Sequence, residues 1–518
     1  MRLGIDFGTT RTVVSASLGG RYPVVCFDVG GVFRDYLPGI VAIRDDGTLV
    51  FGWEARAELS EHPHQAIRSI KRAITDLAPD DVVPGLELAG VTALELVTRY
   101  LAHLRRAIVE QGNVEVAEGE PIEAVVAVPA NASSQQRYLT LEAFTRAGFQ
   151  VQALVNEPTA AAIEFAQRNA QALGPRSPKR YVVVYDLGGG TFDTAAVSLE
   201  GRRFTLLASE GIHRLGGDDF DEIIYELVLA QARASDDALA PNQRVALLEA
   251  CREAKETLKP TSRRLLVDPR SAAHPELLGE EPIVLDVNEI YLRAQPLVDQ
   301  TLALVDQLFA SLVARGIDPE STRELGGLYL VGGSTAFPAV ARALRALHGR
   351  KIQLAPEPHA STAVGLAVAG DPAAGIFVRE APTRHLGVWR EAAAGRDKVF
   401  DLILSKDSAA PVDGPVVVER SYHPRHSVGH LRFLECASLD SSQQPAGDVT
   451  PLARVVFPYD PTLADRADLA DRDVEANAAL EAEEIHETYT YQPDGTVTFA
   501  IENRTHGYRK SFVLGAVR

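Results

Sequence analysis

The chain has 518 residues, more than one hydrophobic core usually supports, so at least two domains are expected. Its apolar content of 46% and charged content of 24% are ordinary for a globular protein. The net charge of −18, without any Lys/Arg run, argues against nucleic acid or an anionic membrane as a partner.

The cysteines and the N-terminus predict a cytoplasmic protein. Cys26, Cys251 and Cys436 are too far apart in sequence for a zinc pattern or a disulfide framework, which fits a reducing compartment. The sequence opens on Leu3-Gly-Ile-Asp6, without the basic and apolar regions of a signal peptide. No apolar run approaches the ~18–20 residues that cross a membrane.

The first third of the chain predicts alternating strands and helices, as in an α/β fold. Short apolar runs separated by Gly and Asp predict strands within residues 1–52. Glu157-Pro158 predicts the start of a helix, with proline in its first turn. Further helices are predicted at 54–77, 92–111 and 133–147, and further strands at 123–128 and 151–155.

The middle third repeats this alternation. Apolar residues recur at helical spacing from Leu247 to Leu258, and a short buried strand, Leu328–Val331, runs into a Gly-Gly turn. The predicted elements are strands at 181–199, 203–208 and 328–331, and helices at 218–234, 242–258, 290–315 and from Pro338 onward.

Composition changes near residues 370–385, where Gly and Pro flank a short apolar piece. We therefore predict a linker over 376–384, between a domain of residues 1–375 and a domain of residues 385–518. Beyond the linker the helical spacing fades, and Asp494-Gly495 separates two alternating segments as a hairpin turn does. The C-terminal domain is predicted to be mostly antiparallel β, with strands at 399–404, 414–420, 429–436, 454–458, 487–491 and 496–501.

One short pattern occurs twice, first as Leu3-Gly-Ile-Asp-Phe-Gly-Thr-Thr10 and again as Val182-Val-Val-Tyr-Asp-Leu-Gly-Gly-Gly-Thr-Phe-Asp193. Each copy is an apolar strand, an aspartate and a Gly/Thr turn, and glycine lets a phosphate approach backbone N–H groups closely. Asp6 and Asp186 would hold Mg²⁺ through its waters. Two such turns facing each other would grip a triphosphate from both sides. A purely structural turn is the alternative for either copy alone.

Several familiar motifs fail on their context. Asp6-Phe7-Gly8 matches the kinase metal motif, but only five residues precede it, where a kinase needs a whole lobe. The sequence contains no Gly-Lys dipeptide, which excludes a Walker-type phosphate loop. His423, His426 and His430 are close enough in sequence to suggest a metal site, but no Cys or carboxylate pattern accompanies them. Exposed loop histidines are therefore the favoured interpretation.

Taken together, seven segments resemble the DnaK-type heat-shock protein 70 chaperones of the actin-like ATPase superfamily. They occur in the family's order between residues 3 and 370, and the motifs that begin at Asn156 and Asp186 together separate this family from sugar kinases and actin. The segments are Gly4-Ile-Asp-Phe-Gly-Thr-Thr10, Ile70-Lys-Arg72, Val128-Pro129, Asn156-Glu-Pro-Thr-Ala-Ala-Ala162, Asp186-Leu-Gly-Gly-Gly-Thr-Phe-Asp193, Leu215-Gly-Gly-Asp-Asp-Phe-Asp221 and Leu330-Val-Gly-Gly-Ser-Thr335. Val399–Lys406 and Tyr491–Phe499 are partial matches to the family's peptide-binding domain.

The resemblance implies an actin-like (ribonuclease H-like) two-lobed α/β ATPase domain, followed by a mostly antiparallel β domain that binds extended peptide. It implies ATP/ADP and Mg²⁺ as cofactors, with K⁺ as a second candidate ion. The catalytic residues it implies are Lys71, which would neutralise γ-phosphate charge, and Asp6, Glu157, Asp186, Thr191 and Asp193. The nucleotide-binding residues it implies are Gly8, Thr9, Thr10, Arg11, Gly188, Gly189, Gly190, Gly216, Gly217, Asp218, Lys255, Gly332, Gly333 and Ser334, and Pro129 and Arg137 would couple the two domains.

The chain departs from the family at the adenosine. Lys255 keeps the family's lysine, but Glu256 stands in place of an arginine, Lys259 in place of a serine and Ala336 in place of a later arginine. A guanidinium that stacks on adenine is therefore missing. We expect weaker nucleotide affinity or an altered base preference, with the phosphate chemistry retained.

Other departures concern partners. Ala153 replaces an arginine that docks J-domain co-chaperones, and the linker Ile376-Phe-Val378 is shorter than the family's, so co-chaperones are candidate partners but ordinary J-domain docking is not expected. The sequence ends at Arg518, soon after the last predicted strand, which leads us to expect no helical lid and fast peptide release. The expected clients are unfolded or extended polypeptides. Two alternatives stay open: a nucleotide-gated scaffold or regulator with little turnover, and a small-molecule kinase on the same fold.

Overall fold

The computed structural model of the chain describes residues 1–59, 66–86, 89–174, 176–269, 279, 281–379, 382–392, 397–406, 414–464, 466, 468–469, 474–492 and 495–515. The chain divides into two compact units. The first consists of Met1–Ala130 and Ala143–Val378, and the second of Asn131–Glu142 and Arg379–Arg518.

The first lobe of the first unit comes from the N-terminal part of the chain. Its elements are β1 (Arg2–Phe7), β2 (Arg11–Ala16), β3 (Phe27–Val29), β4 (Val32–Arg34), β5 (Leu37–Pro38), β6 (Val41–Ile43), β7 (Leu49–Phe51), α1 (Gly52–Glu58), β8 (Ala66–Ile67), α2 (Ile70–Ala73), α3 (Ala93–Glu110), β9 (Glu123–Val128), α4 (Ser134–Arg146), β10 (Gln150–Asn156) and α5 (Glu157–Arg168). The main sheet has the order β10-β9-β1-β2-β5, and β1 runs antiparallel to β2 and parallel to β9. The β1–β2 turn therefore lies at the carboxyl end of β1, between two interior strands of this sheet.

The second lobe repeats that arrangement. Its elements are β11 (Tyr181–Leu187), β12 (Phe192–Ser198), β13 (Arg203–Ile212), α6 (Gly217–Ala232), α7 (Pro241–Glu256), β14 (Arg264–Val267), β15 (Ile283–Asp286), α8 (Val287–Ala314), β16 (Leu325–Val331), α9 (Pro338–His348), β17 (Ile352–Leu354), α10 (Ser361–Ala369) and β18 (Phe377–Arg379). The sheet order is β17-β16-β11-β12-β13-β18. β11 runs antiparallel to β12 and parallel to β16, just as β1 does with its own neighbours.

The predicted linker begins as a strand of this second sheet. β18 lies at the sheet edge beside β13, and the Phe377 N–H donates to the carbonyl oxygen of Arg202 at 2.9 Å. The Phe377 side chain is exposed, whereas Ile376 and Val378 pack partly against the core of the second lobe.

In the described part of the second unit, eight strands form two four-stranded sheets. They are β19 (His385–Ala392), β20 (Asp397–Leu404), β21 (Val416–Tyr422), β22 (Val428–Leu439), β23 (Pro445–Pro458), β24 (Ile485–Tyr491), β25 (Val497–Asn503) and β26 (Tyr508–Leu514). The orders are β20-β19-β22-β23 and β21-β24-β25-β26, and neighbouring strands are antiparallel. Aromatic residues such as Phe433 and Phe499 fill the core. A fully buried Glu487 accepts two bonds of 2.7 Å from Arg390, which joins β19 of one sheet to β24 of the other.

Two predicted features are wrong. Residues 54–77 do not form one helix, since α1 ends at Glu58 and Ile67 pairs with Val41 in a small sheet before α2 begins. A backbone ladder to a distant strand has overridden the helical spacing there. His426 and His430 are not exposed loop residues, because Tyr459 and the β-sandwich bury them. The Asp494 of the predicted hairpin turn lies outside the described residues, although β24 and β25 pair as predicted.

One helix, α8, is long and apolar enough for a membrane crossing by length and composition alone. One face of it, including Ile290, Val298 and Leu308, is buried in the core of the second lobe. The core helix of a globular domain has the same composition, so this feature is weak evidence for a membrane span.

The lobes are joined by a close crossing of two helices. α5 packs on the second sheet, α10 packs on β1 and β2 of the first sheet, and the two helices pack on each other. At the crossing Gly365 meets Ala160 so closely that an added Cβ would lie 1.8 Å from the Ala160 carbonyl oxygen. Glycine is required there by space rather than by backbone conformation.

We predict that Gly365→Ala lowers the free energy of unfolding by up to about 2 kcal/mol. Overpacking a tight site costs about 1–3 kcal/mol, and the better helix propensity of alanine recovers only about 1 kcal/mol. Urea unfolding of the full chain measures the change. Gly174→Ala is the control, since an added Cβ there has 3.9 Å to its nearest neighbour, and a loss as large in this variant would contradict the explanation.

Candidate functional site: a cleft between two phosphate-binding turns

The two Gly/Thr turns meet face to face in the cleft between the lobes. The β1–β2 turn closes with a hydrogen bond from the Gly8 N–H to the Arg11 carbonyl, and the β11–β12 turn with one from Gly188 to Thr191. Glycine is needed where the turns touch, because a Cβ on Gly189 would lie 2.5 Å from the Thr10 side chain. The sequence repeat therefore forms two opposed turns with backbone N–H groups and threonine hydroxyls between them.

A group of carboxylates and one lysine lies at the floor of the cleft. Asp6 and Asp186 are the second-last residues of β1 and β11, and Asp193 is the cross-strand partner of Asp186 on β12. Glu157 is the first residue of α5, and its Oε1 accepts a hydrogen bond of 2.8 Å from Lys71 Nζ. Four acids from four elements thus surround the Lys71 ammonium.

Burial and mutual repulsion change the acidities of this group. Burial, reinforced by the charge of Glu157, raises the pKa of Asp6 to about 7 and that of Asp193 to about 8. The pKa of Asp186 is raised for the same two reasons. Burial by itself would lower the pKa of Lys71, but Glu157 and Asp6 outweigh it and raise the value. The site is therefore short of positive charge.

That shortage suits a divalent cation together with a phosphate chain. Within the described residues, no three carboxylate, imidazole or thiolate groups converge closely enough to hold a metal directly. Carboxylates further apart can hold Mg²⁺ through its own waters, which is how this ion usually binds in proteins. The donors present therefore fit a hydrated magnesium ion.

The other end of the cleft combines glycines, small polar groups and α7. Gly332 has a φ of +83° and lies against the β11 backbone, where a Cβ would be 2.3 Å from the Leu187 carbonyl oxygen. Ser334 Oγ donates to the Gly188 carbonyl at 2.8 Å, and Lys255 Nζ donates to the Gly217 carbonyl at 2.6 Å. The first bond ties this end of the cleft to the β11–β12 turn, and the second ties α7 to the start of α6.

Most of the predicted site residues line this one cleft. The predicted residues that line it are Asp6, Gly8, Thr9, Thr10, Arg11, Lys71, Glu157, Asp186, Gly188, Gly189, Thr191, Gly217, Asp218, Lys255, Gly332, Gly333 and Ser334. Gly190 packs against the first turn and Gly216 against the second, since a Cβ on them would lie 2.6 Å from the Thr9 side chain and 2.6 Å from the Gly189 backbone respectively. Asp193 lies behind Asp186.

Pro129 and Arg137 are not part of the cleft. Pro129 follows β9 directly, in the first unit. Arg137 belongs to the segment of α4 that is in the second unit, where it is buried against Gly495. Near it, the Ser134 N–H and hydroxyl donate to the buried Glu435 carboxylate at 3.0 and 2.7 Å.

Sequence analysis missed a set of ion pairs across the cleft, in which arginines of the first lobe meet acids of the second. Arg68 pairs with Asp221 and Glu249, all three of which are buried. Nearer the rim, Arg72 pairs with Asp219, Arg56 with Glu253 and Arg11 with Glu256. Asp221 follows Asp218 by three residues on α6, so the two acids lie on the same face of the helix. That spacing is the one sign of these ion pairs that the sequence offered.

The structure shows where two of the residues that depart from the family motifs, Glu256 and Ala336, lie. Glu256 also lines the cleft, but its carboxylate pairs with Arg11, whose guanidinium lies 4.4 Å from the centre of the Tyr36 ring. Ala336, which also lines the cleft, contributes only a methyl group. His359, on the same wall, is paired with Asp35 at 2.7 Å.

Comparison with known proteins assigns the fold. A model of the family described as Hsp70 protein matches residues 91–381. The chain belongs to the Hsp70 family. The resemblance seen in the motifs is thereby confirmed, as is the predicted fold class of an actin-like two-lobed ATPase domain followed by a mostly antiparallel β domain.

Curated relatives of this chain share about a third of its residues in the aligned region. Proteins named "Chaperone protein HscA homolog" from Chromobacterium violaceum and Laribacter hongkongensis are each 33% identical over 390 residues, covering 72% of this chain and 59% of the relative. One of the same name from Burkholderia pseudomallei is 32% identical over 394 residues, with the same coverage. The chain thus spans about three fifths of the length of these Hsp70 relatives.

We predict that, without nucleotide or Mg²⁺, this Hsp70-family chain loses stability as the pH rises from about 4 to about 8. Over that range the folded protein keeps protons on Asp6 and Asp193 that the unfolded chain has released, because their folded pKa values are about 7 and about 8. Asp193→Asn should therefore flatten the slope. Urea unfolding at several pH values measures the slope of the free energy of unfolding against pH. Asp299→Asn, at an exposed position, is the control. An unchanged slope in Asp193→Asn would count against a raised pKa of Asp193.

We also predict that Arg68→Met lowers the free energy of unfolding by about 3–5 kcal/mol, since it removes a buried cation shared by Asp221 and Glu249 and leaves these carboxylates only partly compensated by Lys255 and Arg252. Arg99→Met, which breaks an exposed pair with Glu95 on α3, should change it by only about 0.5 kcal/mol. Chemical denaturation of both variants makes the comparison. Equal losses would mean that the buried ion pairs contribute no more than surface ones.

Proposed function

We propose that this Hsp70-family chain is a slow ATPase that couples the binding and hydrolysis of ATP to the binding of unfolded or extended polypeptide. The observation that carries the proposal is the pair of opposed Gly/Thr turns beside a lysine and four carboxylates, those of Asp6, Glu157, Asp186 and Asp193. The names of the curated relatives, which are chaperones, point the same way.

In this proposal the two turns bind the phosphates. Backbone N–H groups and the hydroxyls of Thr9, Thr10 and Thr191 would donate to phosphate oxygens, and Gly332–Ser334 would contact the nucleoside. Mg²⁺, held through water by Asp6 and Asp186, would supply charge neutralisation on the phosphates when bound. K⁺ is a further candidate ion for the same floor.

Lys71 and Glu157 would act on the reacting groups. Lys71 is fixed by its 2.8 Å bond to Glu157 and keeps its positive charge, so it would stabilise negative charge that develops on the γ-phosphate. Glu157 and Asp193 would orient the attacking water. With a pKa near 8, Asp193 is protonated before ligand binds, and added positive charge would favour its ionised form as an acceptor for that water.

The second unit would bind the polypeptide. Each of its two antiparallel sheets ends in edge strands, to which an extended segment would add by main-chain hydrogen bonds. Pro129 and Arg137 remain the proposed coupling residues. Co-chaperones are possible partners, although Ala153 argues against ordinary J-domain docking.

A nucleotide-gated scaffold with little turnover is the second candidate. It is favoured by the nucleoside end of the cleft, where Glu256 is paired with Arg11 and Ala336 offers no stacking group. Such a cleft would hold nucleotide less firmly and could switch state on binding alone.

The deciding experiment is single-turnover ATP hydrolysis by the full chain, with and without an unfolded apolar peptide. For a chaperone, wild type should hydrolyse ATP, peptide should accelerate the reaction, and Lys71→Met should slow it by about 10²–10³-fold through loss of charge stabilisation. Lys351→Met, which removes an ion pair with the exposed Glu320, is the matched control.

Nucleotide binding measured on the same proteins separates the two candidates. ATP binding without measurable turnover, unaffected by peptide or by Lys71→Met, would establish the scaffold and refute the ATPase. A failure of wild type to bind ATP would refute both.

A further inference from the structure

Arg252 is a buried arginine at the nucleoside end of the cleft. It lies on α7, three residues before Lys255 and therefore on the same face of the helix. Its side chain lines the cleft although only 3% of the residue is exposed. Neither the repeated turn pattern nor the family motifs single it out.

Its hydrogen bonds are incomplete. Nη2 lies 2.6 Å from Oε2 of Glu249, but Nε and Nη1 have no hydrogen-bond partner among the described residues. The carboxylate of Glu256 is 3.9 Å from Nε, beyond hydrogen-bonding distance, and is itself paired with Arg11. Leaving a charged donor buried and unpaired costs more than the about 1–3 kcal/mol of a neutral one, so a partner is expected.

The neighbouring hydrogen-bond donors are already occupied. Lys255 Nζ donates to the Gly217 carbonyl and lies 2.6 Å from Asp221, and Ser334 Oγ donates to the Gly188 carbonyl. Ala336 has no polar side-chain atom. Arg252 is thus a cavity-lining residue at this end that has buried donors to spare.

We propose that Arg252 is a specificity-determining residue that donates hydrogen bonds to an acceptor on the nucleoside of the bound nucleotide. The inference rests on the proposed nucleotide binding. Because a guanidinium only donates, it selects an acceptor, either a ribose hydroxyl oxygen or a ring nitrogen or carbonyl of the base, and disfavours an amino group at that position. It supplies a polar contact where the stacking arginine is absent.

The test is the affinity of the full chain for nucleotides, measured by titration calorimetry with Mg²⁺. Wild type and Arg252→Lys are compared with ATP, 2′-deoxy-ATP, 3′-deoxy-ATP, 7-deaza-ATP and GTP. Lysine keeps a charge beside Glu249 but cannot place two separate donors. The Kd for ATP should rise about tenfold, the change expected for a hydrogen bond to a charged group.

The analogues identify the acceptor. An analogue that lacks the acceptor should bind to wild type and to Arg252→Lys with equal affinity. That analogue is one of the deoxy forms if the acceptor is a ribose hydroxyl, and 7-deaza-ATP if the acceptor is the base nitrogen that it lacks. Tighter binding of GTP than ATP by wild type, lost in the variant, would place a base carbonyl there. Arg244→Lys, on the same helix but paired with Glu222 away from the cleft, is the control and should bind like wild type.

Three results would overturn the inference. In the first, Arg252→Lys binds every nucleotide with the affinity of wild type. In the second, its affinity falls by the same factor for all of them, as it would for a purely structural residue. If Arg252→Lys does not fold, by circular dichroism, Arg252→Met replaces it under the same criteria. Wild type that binds none of these nucleotides would refute the proposed function itself, whereas normal wild-type binding with an unaltered variant refutes only the role of Arg252.

Discussion

The first unit is organised around the burial of like charges at the floor of its cleft. Asp6, Asp186 and Asp193 stand on two hairpins that belong to different sheets, and Glu157 stands on the helix between them. Lys71 offsets only part of their charge, so they are held close together at the expense of raised pKa values. The acidic group stays together because the packed helices and the two sheets fix the elements that carry its members. Its negative charge is complementary to a cation that accompanies a phosphate chain.

Charge is arranged differently in the outer cleft. There, arginines of the first lobe face acids of the second, so closing the lobes brings opposite charges together. Salt screens the pairs near the rim, where Glu253 and Glu256 are exposed, far more than the buried pair of Arg68 and Asp221. Deep pairs therefore hold the lobes together under conditions in which the rim is weakened. Arg252 lies at the junction of these two regions.

Local pattern in the sequence was sufficient for much of the fold and for the phosphate end of the site. The turns before Thr10 and Thr191 need glycine and a preceding buried strand, and both requirements are visible in a few residues. The helices at 93–110 and 241–256 follow from apolar spacing. The predicted helix over 54–77 failed because Ile67 pairs with Val41, a contact that no local pattern records.

The sequence by itself determined the two Asp-Gly-Thr hairpins, the lysine and glutamate that accompany them, and the change from α/β to β after residue 376. Only the tertiary structure decided that Glu256 faces Arg11, that Arg68 meets Asp221 and Glu249, and that Arg252 is left with donors to spare. The physical reason is distance along the chain. A turn or a helix face is encoded by neighbouring residues, whereas an ion pair between residues 245 positions apart exists only once both lobes have folded.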